Sequence, residues 1–471
     1  MIRLLSAHFP GRILFLGVSE ACLVMIAFVA ATFGRLGKDD ALVMLKYEQG
    51  GLKILVVLVA FMTCMHYFDL YGSLILSRWR EVLIRVIQVF GSTAISLALF
   101  YYVYPPLELG RGIFLLGFIL AAALLFLWRH LFLTLNVLPQ LAQRTLILGD
   151  GPLAGPLHHE LRSRPELGLH IVGPTFSTRN GNDANELPRG YCPNTRLEFV
   201  PDELTRAVKS LHVDRIVVTM GDRRGKLPVE ELLSLKSRGV LIQDGPDAYE
   251  AITGKVPVEA LRLGWLLFSP GFHVSRALLV YKRLASVFVS TVGLLLSLPL
   301  FPLVVLMVKL GSTGPLLYRQ KRVGRDGAIF VCYKVRTMHT NAEADSGATW
   351  ATDDDPRITR VGTFLRRSRI DEIPQLWNVL KGDMCLVGPR PERPEFVEWL
   401  NHEIPHYHLR HTVRPGITGW AQVRYRYGSS IEDAQEKLRY DLFYVKNMSP
   451  GLDMLIVSDT IKTILWGRGA K

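Results

Sequence analysis

A chain of 471 residues, 49% of them hydrophobic, is too long for one domain and too apolar for a purely soluble protein. Its formal charge of +13 suits anionic lipid headgroups and phosphorylated substrates. Nucleic acid is not the expected partner, because no zinc-finger spacing or RNP-like motif occurs and many cations flank apolar runs. The five cysteines are scattered and form no CxxC, which argues against a disulfide framework and against a zinc site.

Four apolar runs occupy the first third, roughly Ile13–Gly34, Leu52–Tyr71, Val82–Tyr104 and Gly112–Leu133. Each approaches the ~20 residues that a helix needs to cross a bilayer. Others follow the first run, and it lacks a small-residue cleavage site, so it reads as an anchor and not as a signal peptide. Arg3 and Arg12 precede the first run, Arg78, Arg80 and Arg85 follow the second, and Arg129 and Arg144 close the fourth. By the positive-inside rule the N-terminus, the second loop and everything after Arg144 are cytoplasmic. The first loop runs against this with Arg35, Lys38, Lys46 and Lys53, although Asp39, Asp40 and Glu48 accompany them. Glu20 and His66, polar groups inside apolar runs, are expected to make contacts between the four helices of domain 1–143.

RTLILGDGPLAGPLHHEL (144–161) reads as a buried strand, a glycine turn and a helix, with Gly149, Gly151 and Ala154 in GxGxxA spacing. DRIVVTM (214–220) and GVLIQDG (239–245) read as two more buried strands, so 144–270 is expected to be a Rossmann-like α/β domain. The glycines would serve either a nucleotide or tight strand–helix packing. Pro152 sits in the turn, Pro156 just inside the helix, and no clear acidic ribose partner follows, which favours a structural or regulatory role.

Leu284–Val308 carries no charge and, at ~1.5 Å per residue, could cross a bilayer as one helix. Both flanks are basic, however, with Lys282 and Arg283 before it and Lys309, Arg319, Lys321 and Arg322 after it. Pro299 and Pro302 each delete a backbone donor and bend the helix, and Ser297 is placed to satisfy a freed carbonyl. A re-entrant helix–break–helix over 280–310, returning to the cytoplasmic side, is therefore expected in place of a kinked fifth span.

After Leu310 the chain turns rich in arginine, glycine and proline. In RRSRIDEIPQLWNVLKGDMCLVGPRP (366–391), Asp371 and Glu372 follow Arg366, Arg367 and Arg369. Carboxylates among fixed cations suit chemistry on phosphate, the arginines holding the anion and keeping an aspartate ionised as nucleophile. A salt-bridged helix is the plainer alternative, because Arg367 and Asp371 are four apart and Arg369 and Glu372 three apart. Asp353, Asp354 and Asp355 offer a DxD-type metal site, or an acidic turn before a helix. Trp420 and Tyr425 could stack on a base or sugar, with buried packing the commoner fate.

The blocks RQKRVGRDGAIFVCYKVRTM (319–338), TDDDPRITRVGTFLRRSRIDEIPQLWNVLKGD (352–383), LVGPRP (386–391), VRPGITGWAQV (413–423) and YDLFYVKNMS (440–449) resemble, in order, the bacterial sugar transferase family over about 280–471. Four spans followed by a Rossmann-like domain resemble its long-form members. The resemblance implies a multi-pass protein of the bacterial inner membrane, with a mainly α catalytic domain (311–471) on the cytoplasmic face. It implies transfer of sugar-1-phosphate from a UDP-sugar to undecaprenyl phosphate, releasing UMP and initiating exopolysaccharide or related glycan synthesis. Asp371 would attack phosphorus and carry a covalent phosphosugar, and Glu372 would hold Mg²⁺. Arg366, ranked ahead of Arg367, would bind substrate with Lys334, Arg336, Arg390 and Arg414, and Pro299 with Ser297 would mark the membrane break. Ser297-Leu298-Pro299 departs from the family's Ser-Pro pair, and Ser286 stands where an acid is often found. Membrane lipid, a homodimeric copy and downstream polysaccharide glycosyltransferases are the implied partners.

Two anionic substrates would repel each other in a low-dielectric site; a covalent intermediate separates them in time while the cations neutralise whichever is bound. An NAD-dependent nucleotide-sugar enzyme would need a tyrosine with lysine four residues on, and a processive synthase a QxxRW motif; neither is present. A membrane scaffold of a polysaccharide assembly complex remains the non-enzymatic alternative.

Overall fold

The computed structural model describes residues 11–68, 70, 79–137, 142–164, 167–172, 203–221, 223, 227–261, 264–265, 269, 271–272, 274–340, 342, 355–425, 428 and 430–465. Two compact units divide the chain, Met1–Ala248 and Tyr249–Lys471.

The first unit opens with α1 (Gly11–Leu36), α2 (Lys38–Tyr47), α3 (Gly50–Tyr67), α4 (Trp79–Val103) and α5 (Arg111–Val137). All but α2 contain a stretch long and apolar enough to cross a membrane. Their inner faces meet around aromatic rings, with Phe61 4.9 Å from Phe90 and 5.1 Å from Phe118. Large apolar side chains such as Ile87, Leu99, Leu115 and Leu127 face outward, the reverse of a water-soluble bundle. Of the first-loop charges, Lys38, Asp39, Asp40 and Lys46 belong to α2, where Asp39 and Asp40 sit in the first turn and Lys46 in the last, matching the helix dipole. Arg35 lies in the last turn of α1 and Lys53 in the first turn of α3.

Glu20 makes the interhelical contact expected of it. Arg129 donates from Nε and Nη2 to its two carboxylate oxygens at 2.5 and 2.9 Å, joining α1 to α5 with both groups buried. Arg129 also donates to the Leu70 carbonyl at 3.2 Å, so this cation is committed inside the bundle and is a poor marker of membrane orientation. Arg3 and Arg78 lie outside the described residues, as do the side chains of Arg12 and Arg80.

An α/β layer follows: β1 (Gln143–Leu148), α6 (Ala154–Ser163), β2 (Leu169–Ile171), α7 (Glu203–Ser210), β3 (Arg215–Val218), α8 (Val229–Ser237) and β4 (Leu241–Asp244). The strands are all parallel in the order β2-β1-β3-β4, with Thr145 opposite Arg215. Leu146, Ile147 and Leu148 on β1 and Ile216, Val217 and Val218 on β3 are buried without interruption, the continuous apolar signature of central strands covered on both faces. The glycine turn is explained by packing. Gly149 has φ +107°, and a β-carbon on Gly151 would lie 1.9 Å from the Thr219 carbonyl oxygen, so the end of β3 occupies the space that the glycines leave.

The second unit contains α9 from Tyr249 onward (Gly245–Thr253), then α10 (Arg276–Ser297), a 3₁₀ turn Leu298–Leu300, and α11 (Phe301–Gly311). The break at the prolines is one tightened turn, with right-handed dihedrals from Ser297 to Phe301. Ser297 Oγ donates to the Leu294 carbonyl at 2.8 Å beside it. On α10 the buried stripe is polar, Lys282, Ser286 and Ser290, while Leu284, Phe288, Leu295 and Leu296 are exposed. On α11, Val304 and Val308 pack against Val335 and Leu365.

The remainder comprises the hairpin β5 (Leu317–Val323) and β6 (Ile329–Val335), α12 (Arg360–Arg367), a 3₁₀ turn Ile370–Glu372, α13 (Gln375–Lys381), β7 (Cys385–Val387), α14 (Pro394–Glu403), β8 (Gly416–Thr418), α15 (Trp420–Arg424), α16 (Ile431–Lys446) and α17 (Pro450–Leu465). β5 and β6 are antiparallel, whereas β7 and β8 are parallel. The core gathers Tyr407, Leu438, Leu442, Phe443, Tyr444, Leu452 and Ile456. Trp420 belongs to it, stacked 5.8 Å from Phe443 with its indole N–H on the Gly254 carbonyl, and the Tyr425 hydroxyl donates to Asp433. Both aromatics are packing and bonding residues of the core.

Candidate active site

Asp371 and Glu372 lie on the 3₁₀ turn between α12 and α13. The turn exists because Arg369, just before it, adopts φ 59° and ψ 13°, a left-handed conformation that costs a side-chain-bearing residue about 1–2 kcal/mol. That kink ends helical spacing after Arg367, so the expected four-residue pair of Arg367 with Asp371 does not form; Arg367 is exposed. The three-residue pair does form, with Arg369 Nη1 3.5 Å from Glu372 Oε2. Strain held at a titratable pair points to function, not to packing alone.

Glu372 is buried at the centre of three cations from separate elements. Its Oε1 accepts from Arg390 Nη2 at 2.9 Å, in the turn after β7, and from Lys334 Nζ at 3.3 Å, on β6, while Arg369 faces Oε2. Burial alone would raise its carboxyl, but Arg390, Lys334 and Arg369 together outweigh burial and hold it well below the usual range. Lys334 is itself lowered, by burial first, with Glu372 opposing.

Asp371 next to it is treated oppositely. Burial pushes its carboxyl up; Lys334 opposes this, Glu372 reinforces it, and Arg366 and Arg390 oppose it through space. Its Oδ1 is buried with no hydrogen-bond partner. The cations hydrogen-bond to Glu372, whereas Asp371 keeps a buried oxygen without a hydrogen-bond partner and feels Lys334, Arg366 and Arg390 as charges that oppose the effect of burial. Neighbouring carboxyls driven apart in this way, one of them orphaned in the interior, form a candidate reaction centre.

The other expected site residues divide. Arg366 Nε donates to Thr337 Oγ1 at 3.0 Å, and its charge acts on Asp371. Arg414 is half-buried in the turn before β8 and makes no hydrogen bond or ion pair among the described residues. Arg336 is placed elsewhere, its two terminal nitrogens donating to the Thr313 and Ser312 carbonyls at 2.8 Å, where it clamps the chain leaving α11. Asp355 accepts from Arg357 at 2.6 and 2.8 Å, which is the acidic-turn alternative; Asp353 and Asp354 lie outside the described residues. No cluster of three or more metal-binding side chains occurs among the described residues.

Two supports of the site escaped the sequence reading. Asn378 is fully buried on α13 and acts as a strand partner: Oδ1 accepts from Tyr333 N–H at 3.1 Å and Nδ2 donates to the Val331 carbonyl at 2.6 Å, tying the strand of Lys334 to the helix behind Glu372. Arg410 donates to the Arg390 carbonyl at 3.0 Å and lies 2.7 Å from Asp441, fixing the backbone that carries Arg390. A lone polar residue in a helical block was the only sequence signal for Asn378; for Arg410 there was none.

Apolar helices with outward-facing side chains, and a buried carboxylate pair ringed by cations, define a membrane protein with a centre suited to anions. Residues 277–467 match the profile of the bacterial sugar transferase family. Relatives include the UDP-N-acetylgalactosamine-undecaprenyl-phosphate N-acetylgalactosaminephosphotransferase of Aeromonas hydrophila, 45% identical over 225 residues, 47% of this chain and 52% of that one. The UDP-glucose:undecaprenyl-phosphate glucose-1-phosphate transferase of Klebsiella pneumoniae is 33% identical over 331 residues, 68% and 67% of the two chains. The exopolysaccharide production protein PSS of Rhizobium leguminosarum bv. phaseoli is 42% identical over 188 residues, 39% of this chain and 94% of that one. This chain belongs to the bacterial sugar transferase family. It spans about half the length of the Aeromonas relative.

Proposed function

We propose that the protein transfers sugar-1-phosphate from a UDP-sugar to undecaprenyl phosphate and so initiates a membrane-linked glycan. The observation that carries this reading is the buried, partnerless Oδ1 of Asp371 beside a Glu372 held ionised by three cations. Asp371 attacks the sugar-side phosphorus of the donor; a P–O bond forms, the bond to UMP breaks, and UMP leaves with the electron pair. An oxygen of undecaprenyl phosphate then attacks the same phosphorus, and the Asp371 carboxylate is expelled. Arg366, Lys334, Arg390 and Arg414 are assigned to the phosphate charge, which would otherwise face a low-dielectric interior.

A Mg²⁺ ion suits Glu372, an ionised carboxylate beside the partnerless Asp371 oxygen, because magnesium asks only one or two carboxylates of a protein. When bound, it would neutralise charge on the diphosphate. Glu372 stays ionised in our reading and serves to hold the ion and to order Arg390 and Lys334.

The membrane arrangement we propose has four N-terminal spans, a Rossmann-like domain, and a re-entrant α10–α11 that leaves the catalytic domain on the cytoplasmic face of the inner membrane. Support for re-entry comes from packing: Lys282 and Ser286 near one end and Val304 and Val308 near the other are buried against the catalytic unit, while the exposed side chains from Leu284 to Leu306 are apolar apart from Thr291. A crossing helix could not keep both ends on one water-facing body. A homodimer and downstream glycosyltransferases belong to the same proposal.

Asp371→Asn is expected to abolish UMP release from a UDP-sugar while the protein stays folded, and the wild-type enzyme incubated with donor alone should carry the phosphosugar mass on residue 371. Full UMP formation by the variant would remove the nucleophile assignment.

A further inference from the structure

The polar stripe of α10 is placed for more than anchoring. Arg283 donates from Nη1 to the Val379 carbonyl at 2.5 Å and from Nη2 to the Leu380 carbonyl at 2.7 Å, which caps the last turn of α13. That helix begins three residues after Glu372. One turn further along α10, Ser286 Oγ accepts from Leu386 N–H at 3.1 Å, on β7. Lys282 Nζ donates to the Val387 carbonyl at 3.3 Å and also binds Asp453 Oδ2 at 2.7 Å and the Tyr444 hydroxyl. The Tyr444 hydroxyl in turn donates to Asp453 Oδ1 at 2.8 Å and reaches the Val387 carbonyl at 3.1 Å. Val387 is three residues before Arg390.

The two ends of the 2.9 Å Arg390–Glu372 contact thus sit on separate elements, and α10 fastens both. We propose that Lys282, Arg283 and Ser286 are positioning residues that hold the Glu372 turn and the Arg390 turn in register, so that the reaction centre is assembled on the membrane helix. Polar side chains that served only as an anchor would need no particular landing place; here all three end on the backbone of α13 and β7. A displacement of about 1 Å at reacting groups can lower a rate by up to ~100-fold. The kinetic arm of the test rests on the transferase reading above.

The full-length protein in lipid nanodiscs would carry Arg283→Met, Ser286→Ala, the conservative Arg283→Lys, and the outward-facing control Leu284→Ala. UMP release would be measured with UDP-glucose and UDP-N-acetylgalactosamine in the presence of undecaprenyl phosphate, alongside backbone hydrogen exchange across 369–390. Arg283→Met and Ser286→Ala are expected to raise exchange in that segment and to lower kcat, by about tenfold or more for Arg283→Met, with KM within about threefold. Arg283→Lys should recover part of the loss, and Leu284→Ala should change neither quantity. Wild-type exchange in 369–390 for both Arg283→Met and Ser286→Ala would overturn the inference, as would a loss of activity that follows the folded fraction with kcat per folded enzyme unchanged. If the wild-type protein releases no UMP, the transferase reading fails, and the exchange measurement alone decides the positioning role.

Discussion

Replacing Arg390 by methionine tests the electrostatic account of the site. Arg390 Nη2 lies 2.9 Å from Glu372 Oε1, and Glu372 is buried. At an effective dielectric constant of ~20 the bare attraction is about 6 kcal/mol, most of it offset by desolvation. Lys334 and Arg369 remain beside the carboxylate in the variant, so the expected loss is that of one charge-assisted hydrogen bond, about 2 kcal/mol. For a unit of this size that corresponds to a fall in Tm of about 4–8 °C, read by thermal unfolding in nanodiscs at pH 7. The sign with pH follows from Glu372 being held below the usual range. Its contribution is fully present above the ordinary carboxylate value near ~4.3 and is lost as pH falls through the lower folded-state value. The gap between wild type and variant should therefore be constant from pH 7 to about 5.5 and narrow only in stronger acid. An unchanged Tm at pH 7, or a gap that widens on acidification, would refute the three-cation account of Glu372.

Three further outcomes follow from the same geometry. Arg369→Gly removes the left-handed strain along with a cation, so stability by thermal melting should stay within about 1 kcal/mol of wild type while UMP release falls; Arg369→Val, β-branched in the same conformation, should be clearly less stable than Arg369→Gly. Glu20→Gln leaves Arg129 buried without its charge partner and should destabilise the helix bundle by about 3 kcal/mol in detergent unfolding, whereas Glu20→Gln with Arg129→Met should recover much of that loss. Lys282 is buried against Asp453 and cannot report topology, so cysteines introduced at Arg276 and Thr313, beyond the two ends of the apolar segment, are the better probes. An impermeant thiol reagent should reach both from the same side of the membrane, and labelling from opposite sides would establish a fifth span.

Much of this was legible in the order of residues. Long uncharged runs announce membrane helices because backbone polar groups cannot be left unpaired in lipid, and the alternation of short apolar strands with helices announces a parallel sheet. The Asp371–Glu372 pair among arginines stands out for a similar reason, since such charge density in one short block asks for a partner. The glycine turn, by contrast, was ambiguous: close packing and ligand approach both require a missing side chain, and only the position of the Thr219 carbonyl against Gly151 favours packing.

Which cation serves which carboxylate was decided by the fold alone. Sequence spacing assumed a continuous helix through 366–372, but the left-handed Arg369 redirects the chain, so Arg367 turns to solvent and Glu372 receives Lys334 and Arg390 from positions 38 residues before and 18 after it. Arg336 and Lys282 look like free cations in one dimension, yet each is bound to backbone or an acid that lies far along the chain. Local pattern fixes helices, strands and turns through short-range sterics and hydrophobic period. Partnership between charges depends on distances in space, and those arise only when the elements pack.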